Sequence, residues 1–167
     1  QETRRCLDRF MEKRGFTPLG YQGARIPVYD RWTPVERRVG AGRVFLVGDA
    51  AGQVKVSTVG GIVTGFRGAI GVSESIMKGG ESSELRSLRK ELDLHLLIRK
   101  TIHQFKQADY SRLVDLMNES TRRSLSQYAR DEASRVLWSI ALRQPRLLLL
   151  ALRGLLSGGS ILPKTRG

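Results

Sequence analysis

The chain has one cysteine, Cys6, and two histidines, His95 and His103, in 167 residues. A single cysteine excludes a disulfide within the chain, and so few soft ligands leave no set for a structural zinc ion. Cys6 reads as a small apolar helix residue. No run of ~18 uncharged apolar residues occurs, so nothing suits a helical membrane span. The longest apolar run is only Leu147–Leu152. Aromatic residues make up 7% and are not interleaved with basic ones, so a base-stacking platform is absent. Acidic residues are scarce, 16 against 29 lysines and arginines, for a net charge of +13. Such an excess suits anionic partners: nucleic acid, phosphate-bearing ligands or an anionic membrane surface. The arginines are spread along the chain, so charge alone selects none of these. The first helix-like run is charged throughout, and no signal peptide is visible. A start at Gln inside an amphipathic pattern suggests a piece of a longer protein.

What is present reads as mostly helix. Glu2–Arg14 places Leu7, Phe10 and Met11 at i, i+3, i+4 spacing, with Gly15 as a stop. Tyr21–Tyr29 is strand-like, and Pro27, which cannot donate to a ladder, marks an edge or a strand end. Asp30–Gly42 is polar and glycine-containing, as a loop would be. Val44–Val47 is a short, continuously apolar strand, the pattern of a parallel strand buried on both faces. Few other segments resemble it, so its sheet partners are expected outside these residues. Gly61–Lys78 turns helical, with small residues at Gly61, Thr64, Gly65, Gly68, Ala69 and Val72. Glycines in a helix each cost about 1 kcal/mol relative to alanine, so a helix that keeps so many needs them for close packing. Ser82–Ser83 caps the next helix, whose apolar residues run from Leu85 to Phe105. Tyr110–Met117 and Arg122–Leu142 are further amphipathic segments. After Pro145, Arg146–Leu156 is a last, very apolar helix. It is either a core helix, the favoured reading, or a peripheral membrane contact with arginines at the headgroups.

One stretch asks for a ligand: "FLVGDAAGQVKVSTVGGIV", Phe45 to Val63. A strand that delivers Gly48 and Asp49 at its carboxyl end puts them where open α/β sheets bind ligands. Gly48 lets the backbone turn and come close. Asp49, an acceptor only when ionised, suits a sugar-type hydroxyl. Ala50 is too small to obstruct. Gly60 and Gly61 then open a helix at Ile62, whose first N–H groups have no internal partner and favour an electron-rich ligand edge. Lys55 and Ser57 fall in the intervening loop and are expected to be exposed. No acid–base pair stands out, so catalytic residues are unassigned.

The stretch resembles the second flavin-binding motif of FAD-dependent oxidoreductases of the p-hydroxybenzoate hydroxylase type. "FLVGDAAGQVK" followed by "STVGGIV" is similar, more closely, to the geranylgeranyl reductase family. "GARIPVYD", "ELDLHLLIRK" and "YARDEASRVL" extend the likeness over most of the chain. The chain departs from the family pattern at Val56, Val59 and Val63, where proline, glycine and an aromatic are frequent. It also lacks the GxGxxG stretch that holds the ADP half of FAD.

The resemblance implies the C-terminal part of an α/β FAD-binding fold, Rossmann-like and of the glutathione reductase type. The segment itself would be predominantly α-helical with a few short strands. Residues 1–42 would end a substrate domain, 43–80 would supply the last strand and helix of the FAD-binding domain, and 81–167 would form a helical region. FAD would be the cofactor, held by Gly48, Asp49, Ala50, Gly60, Gly61 and Ile62, with no metal. The implied reaction saturates isoprenoid double bonds by hydride transfer from reduced FAD, with NAD(P)H or ferredoxin as electron donor. This piece alone would be inactive. The implied location is the cytoplasm, or its membrane surface through a peripheral contact. Two alternatives stand beside this: an oxygen-using monooxygenase or halogenase relative, and a non-enzymatic basic module for nucleic acid or anionic membrane. Nucleic acid is the disfavoured partner.

Overall fold

A computed structural model describes residues 2–23, 25–127, 134, 135, 137, 139 and 144–157. The first helix, α1 (Glu2–Lys13), ends as its sequence predicts. Gly15 takes φ +66°. Its N–H and that of Phe16 donate to the carbonyls of Glu12 and Met11, at 3.0 and 2.9 Å. This is a Schellman closure, which satisfies carbonyls left over by the last turn. No residue of α1 is buried, however, and Leu7 and Phe10 stay half exposed.

The strand expected over Tyr21–Tyr29 does not form: none of its described residues pairs into a sheet. Pro27 removes a donor, and a strand without a partner has no ladder to join. One residue of this segment does anchor it. Tyr29 is buried, and its hydroxyl donates to Asp93 Oδ1 at 2.5 Å. Burial, and then the bond to that carboxylate, raise the phenol well above its ordinary pKa.

The loop expected over Asp30–Gly42 holds a strand, β1 (Glu36–Val39), which pairs antiparallel with β2 (Gly42–Phe45). Charged residues on an exposed strand hid it. The connection is the two residues Gly40 and Ala41, and Gly40 alone takes a positive φ, +59°, as a II′ hairpin turn requires. Arg38 faces Arg43 across the pair. Arg43 is relieved by Glu36 at 3.3 Å and by the Phe45 ring beneath it at 5.4 Å. The strand expected at Val44–Val47, with both faces buried, is therefore corrected on two counts. It starts earlier, at Gly42, and Val44 and Leu46 are exposed. Local alternation was masked by an apolar run in which only Phe45 and Val47 turn inward. The sheet of the described residues is this hairpin.

The helical part follows the sequence more closely. A single 3₁₀ turn (Gly48–Ala51) follows the hairpin and leads by a loop to α2 (Ile62–Lys78). Helix α3 (Ser83–His103) begins at the predicted cap, where Ser82 Oγ accepts the Leu85 N–H at 3.0 Å. Ser82 N–H in turn donates to Ser75 Oγ at 3.2 Å, which pins the end of α2 to the start of α3. Arg67 of α2 and Glu84 of α3 add an ion pair.

The helices α4 (Gln107–Asp115) and α5 (Glu119–Gln127) each begin three residues before the predicted starts. Most of the remaining predicted helix, to Leu142, lies outside the described residues. Helix α6 (Pro145–Ser157) opens on Pro145, whose missing N–H costs nothing at a first helical position. Its residues Leu147 and Leu150 are buried. Gly154 is as tightly placed: a side chain there would meet Phe105 Cε1 at 2.8 Å and Thr101 Cγ2 at 3.2 Å. The core reading thus holds for one face of α6.

Two apolar clusters make the core. One joins Tyr29, Val56, Leu88 and Leu92; the other joins Val35, Ala51, Val72 and Leu85. Trp32 packs against both. The face of α2 that enters this core is built of Thr64, Gly68, Gly71, Val72 and Ser75. Its large apolar residues Ile62, Phe66 and Ile70 point away and are exposed. No helix among the described residues is long and apolar enough to cross a membrane.

Candidate functional site

The stretch singled out by the sequence forms a strand end, a tight turn and a helix start that fold back on one another. Gly48 takes φ +64°, which a side-chain-bearing residue rarely adopts, and this re-aims the chain into the 3₁₀ turn. Its N–H donates to Gln53 Oε1 at 2.8 Å. Gln53 is fully buried, and Thr64 of α2 donates its hydroxyl to the Gln53 carbonyl. The Gln53 amide lies where a side chain at position 68 would stand, so Gly68 exists to make room for it. Gly65 likewise backs directly onto the Gly48 Cα, at ordinary contact distance. The turn and the helix are therefore locked together at backbone range.

This lock sets Asp49 beside the N-terminus of α2. A Cβ on Gly61 would meet Asp49 Oδ1 at 3.0 Å and Val54 Cγ2 at 3.4 Å. No side chain caps that helix end. An exposed carboxylate beside uncapped N–H donors favours a ligand that can offer both a hydroxyl and an electron-rich edge. Around them opens a cleft of about 310 Å³, lined by Ile26, Asp49, Val54, Val59, Gly61 and Ile62.

Of the six expected site residues, the fold brings Asp49, Gly61 and Ile62 into one cleft. Gly48, Ala50 and Gly60 do not line it. Gly48 serves the turn, and Ala50 is exposed. The Gly60 carbonyl accepts the Lys55 N–H at 3.0 Å, and its missing side chain leaves space for the Lys55 stem, 3.2 Å away. The sequence reading missed Ile26, Val54 and Val59 as lining. It also expected Lys55 and Ser57 to be exposed. Lys55 is buried, and Ser57 is partly covered, its Oγ 2.6 Å from His95 Nδ1. His95 Nε2 lies 3.7 Å from Glu91 Oε1, one helical turn back on α3, and both residues are buried. The loop is thus tied down to α3. The available signal was Glu91 and His95 at i, i+4 among Leu88, Leu92 and Leu96, polar groups on the apolar face of a helix. Among the described residues no cluster of acidic, His or Cys side chains could hold a metal ion.

Val59 is strained. It takes φ +55°, a left-handed conformation that a β-branched residue avoids. Such a conformation costs a non-glycine residue roughly 1–2 kcal/mol, part of which a glycine would lose to its freer unfolded chain. Val59→Gly is expected to raise stability by about 1 kcal/mol, seen as a higher denaturant midpoint at unchanged slope.

What the geometry defines is a strand–turn–helix cradle, with an exposed carboxylate at the turn and glycines at the helix start. Over a stretch of 56 residues, 34% of this chain, the sequence is 46% identical to a digeranylgeranylglycerophospholipid reductase of Methanothermobacter thermautotrophicus. That stretch is 14% of the relative's length, so the chain matches a small part of that protein. No family model matches the chain, and no solved structure does.

Proposed function

We propose that this chain is the C-terminal part of a flavin-dependent reductase that saturates isoprenoid double bonds. The observation that carries the reading is the cleft in which Asp49, Gly61 and Ile62 meet. Similarity to a named phospholipid reductase supports the reductase class. The residues fit FAD: the glycine start of α2 leaves the helix N–H groups open, and Asp49 offers a free-standing acceptor. In this reading Asp49 accepts a hydroxyl of the ribityl arm and orients the cofactor rather than moving a proton. The N–H groups at Gly61 and Ile62 favour negative charge on the ring edge, by ~0.3–1 kcal/mol and up to ~2 when partly buried. Ile26, Val54 and Val59 line the same cleft with apolar side chains. When bound, the flavin supplies the hydride that reduces the alkene. An isoprenoid or prenyl substrate, and NAD(P)H or ferredoxin as donor, belong to the same proposal.

The test is flavin content. The intact enzyme purified with Asp49→Ala together with Gly61→Leu is expected to lose most of its FAD, read as flavin absorbance per protein. Stoichiometric FAD in that variant, with unchanged helical content, rejects the site.

A further inference from the structure

Helix α6 has seven leucines in thirteen residues and no acidic residue. Only Leu147 and Leu150 are buried. The other five point outward: Leu148, Leu149, Leu152, Leu155 and Leu156 are 39–82% exposed. At 100° per residue these five fall on one stripe, opposite the stripe of Leu147, Leu150 and Gly154 that packs on α3. Arg146 and Arg153 lie between the two stripes, seven residues apart and so on one side of the helix. Together with Arg112, Asp115 and Leu116 of the α4 region, they and Leu149 and Leu150 line an open cleft of about 340 Å³. Three guanidinium groups and one carboxylate, Asp115, share that cleft, leaving it positive.

We propose that this face is a docking surface for a membrane carrying anionic phospholipid. The outward leucines enter the headgroup–acyl boundary, and Arg112, Arg146 and Arg153 meet lipid phosphates along its edge. Charge selects this occupant over a second copy of the chain. An antiparallel symmetric pairing through the leucine stripe would bring Arg146 and Arg153 of both copies to one edge, in a protein that already carries +13. A surface that is apolar along one line and cationic beside it instead matches the two layers of a bilayer interface. Guanidinium is also the cation best shaped for phosphate, which it can grip with two N–H groups.

The test is co-sedimentation of the whole chain with vesicles, of phosphatidylcholine alone or of phosphatidylcholine with phosphatidylglycerol. Binding is expected to the mixed vesicles and to fall as salt rises. At about 1 kcal/mol per basic residue near an anionic surface, removing both charges by Arg146→Gln/Arg153→Gln weakens binding by about thirtyfold. Arg146→Lys/Arg153→Lys keeps most of it. Leu152→Asp/Leu156→Asp lowers the bound fraction even at low salt. Equal binding to the two vesicle types, indifference to salt or to the glutamine pair, or a change in the oligomeric mass of the leucine variant overturns the proposal. The salt titration uses the unaltered chain, so a misfolded variant does not spare it. Vesicle binding is read without flavin, so its failure and that of the cofactor site are separate results.

Discussion

Gly68→Leu should cost the chain about 3 kcal/mol or more of stability. A side chain at position 68 would occupy the volume of the Gln53 amide, which is fully buried. Overpacking of this kind costs about 1–3 kcal/mol by itself. Displacing the amide also takes the acceptor from the Gly48 N–H, and a buried polar group left unmatched adds about 1–3 kcal/mol. The gain in helix propensity returns only about 1 kcal/mol. Gly65→Ala, three residues earlier, is the control. Its nearest neighbour across the contact is Gly48 Cα at 3.5 Å, ordinary packing distance, so it should be neutral or slightly stabilising. Denaturant unfolding of the two variants side by side decides the point. Equal stability would mean that α2 does not pack against the turn through these glycines.

Leu88→Ala should lose about 2–5 kcal/mol. Leu88 is fully inaccessible and joins Tyr29, Val56 and Leu92 in one cluster. The cost includes both the lost burial and the cavity left behind, because neighbours fixed to α3 by the Tyr29–Asp93 and Ser57–His95 contacts cannot collapse into it freely. The check is the unfolding midpoint by circular dichroism and by tryptophan fluorescence together, since Trp32 packs against the same cluster. A loss below about 1 kcal/mol would place Leu88 outside the core.

The helices were legible because their signals are local. Gly15, Ser82 and Pro145 each stand at or near a helix end, and the glycines of α2 announced a close approach before its partner was known. The partner itself, Gln53, was not legible. A polar residue in a loop carries no local mark of being buried, and only the return of α2 over the turn encloses it. Ser57 was misjudged for the same reason, since the His95 ring beside it comes from α3, some forty residues on. The hairpin was missed where exposure reversed the expected pattern: Arg37 and Arg38 make a strand that no apolar alternation marks. At the candidate site, Asp49, Gly61 and Ile62 line one cleft, whereas its wall at Ile26 comes from a segment without regular structure, which no local pattern marks.

The inverted build of α2 has a thermal consequence. Its buried face offers glycine, threonine and serine with Val72 as the one large apolar residue, while Ile62, Phe66 and Ile70 stay in water whether or not the helix docks. Docking that face removes less nonpolar surface than a leucine-rich face would, chiefly that of Val72 and of Leu85 opposite it, so undocking it adds correspondingly less to the heat capacity of unfolding, which scales with the nonpolar area exposed. The contact instead rests on dispersion and hydrogen bonds at short range. Its strength should therefore change gently with temperature, while the Leu88–Leu92 cluster weakens on cooling.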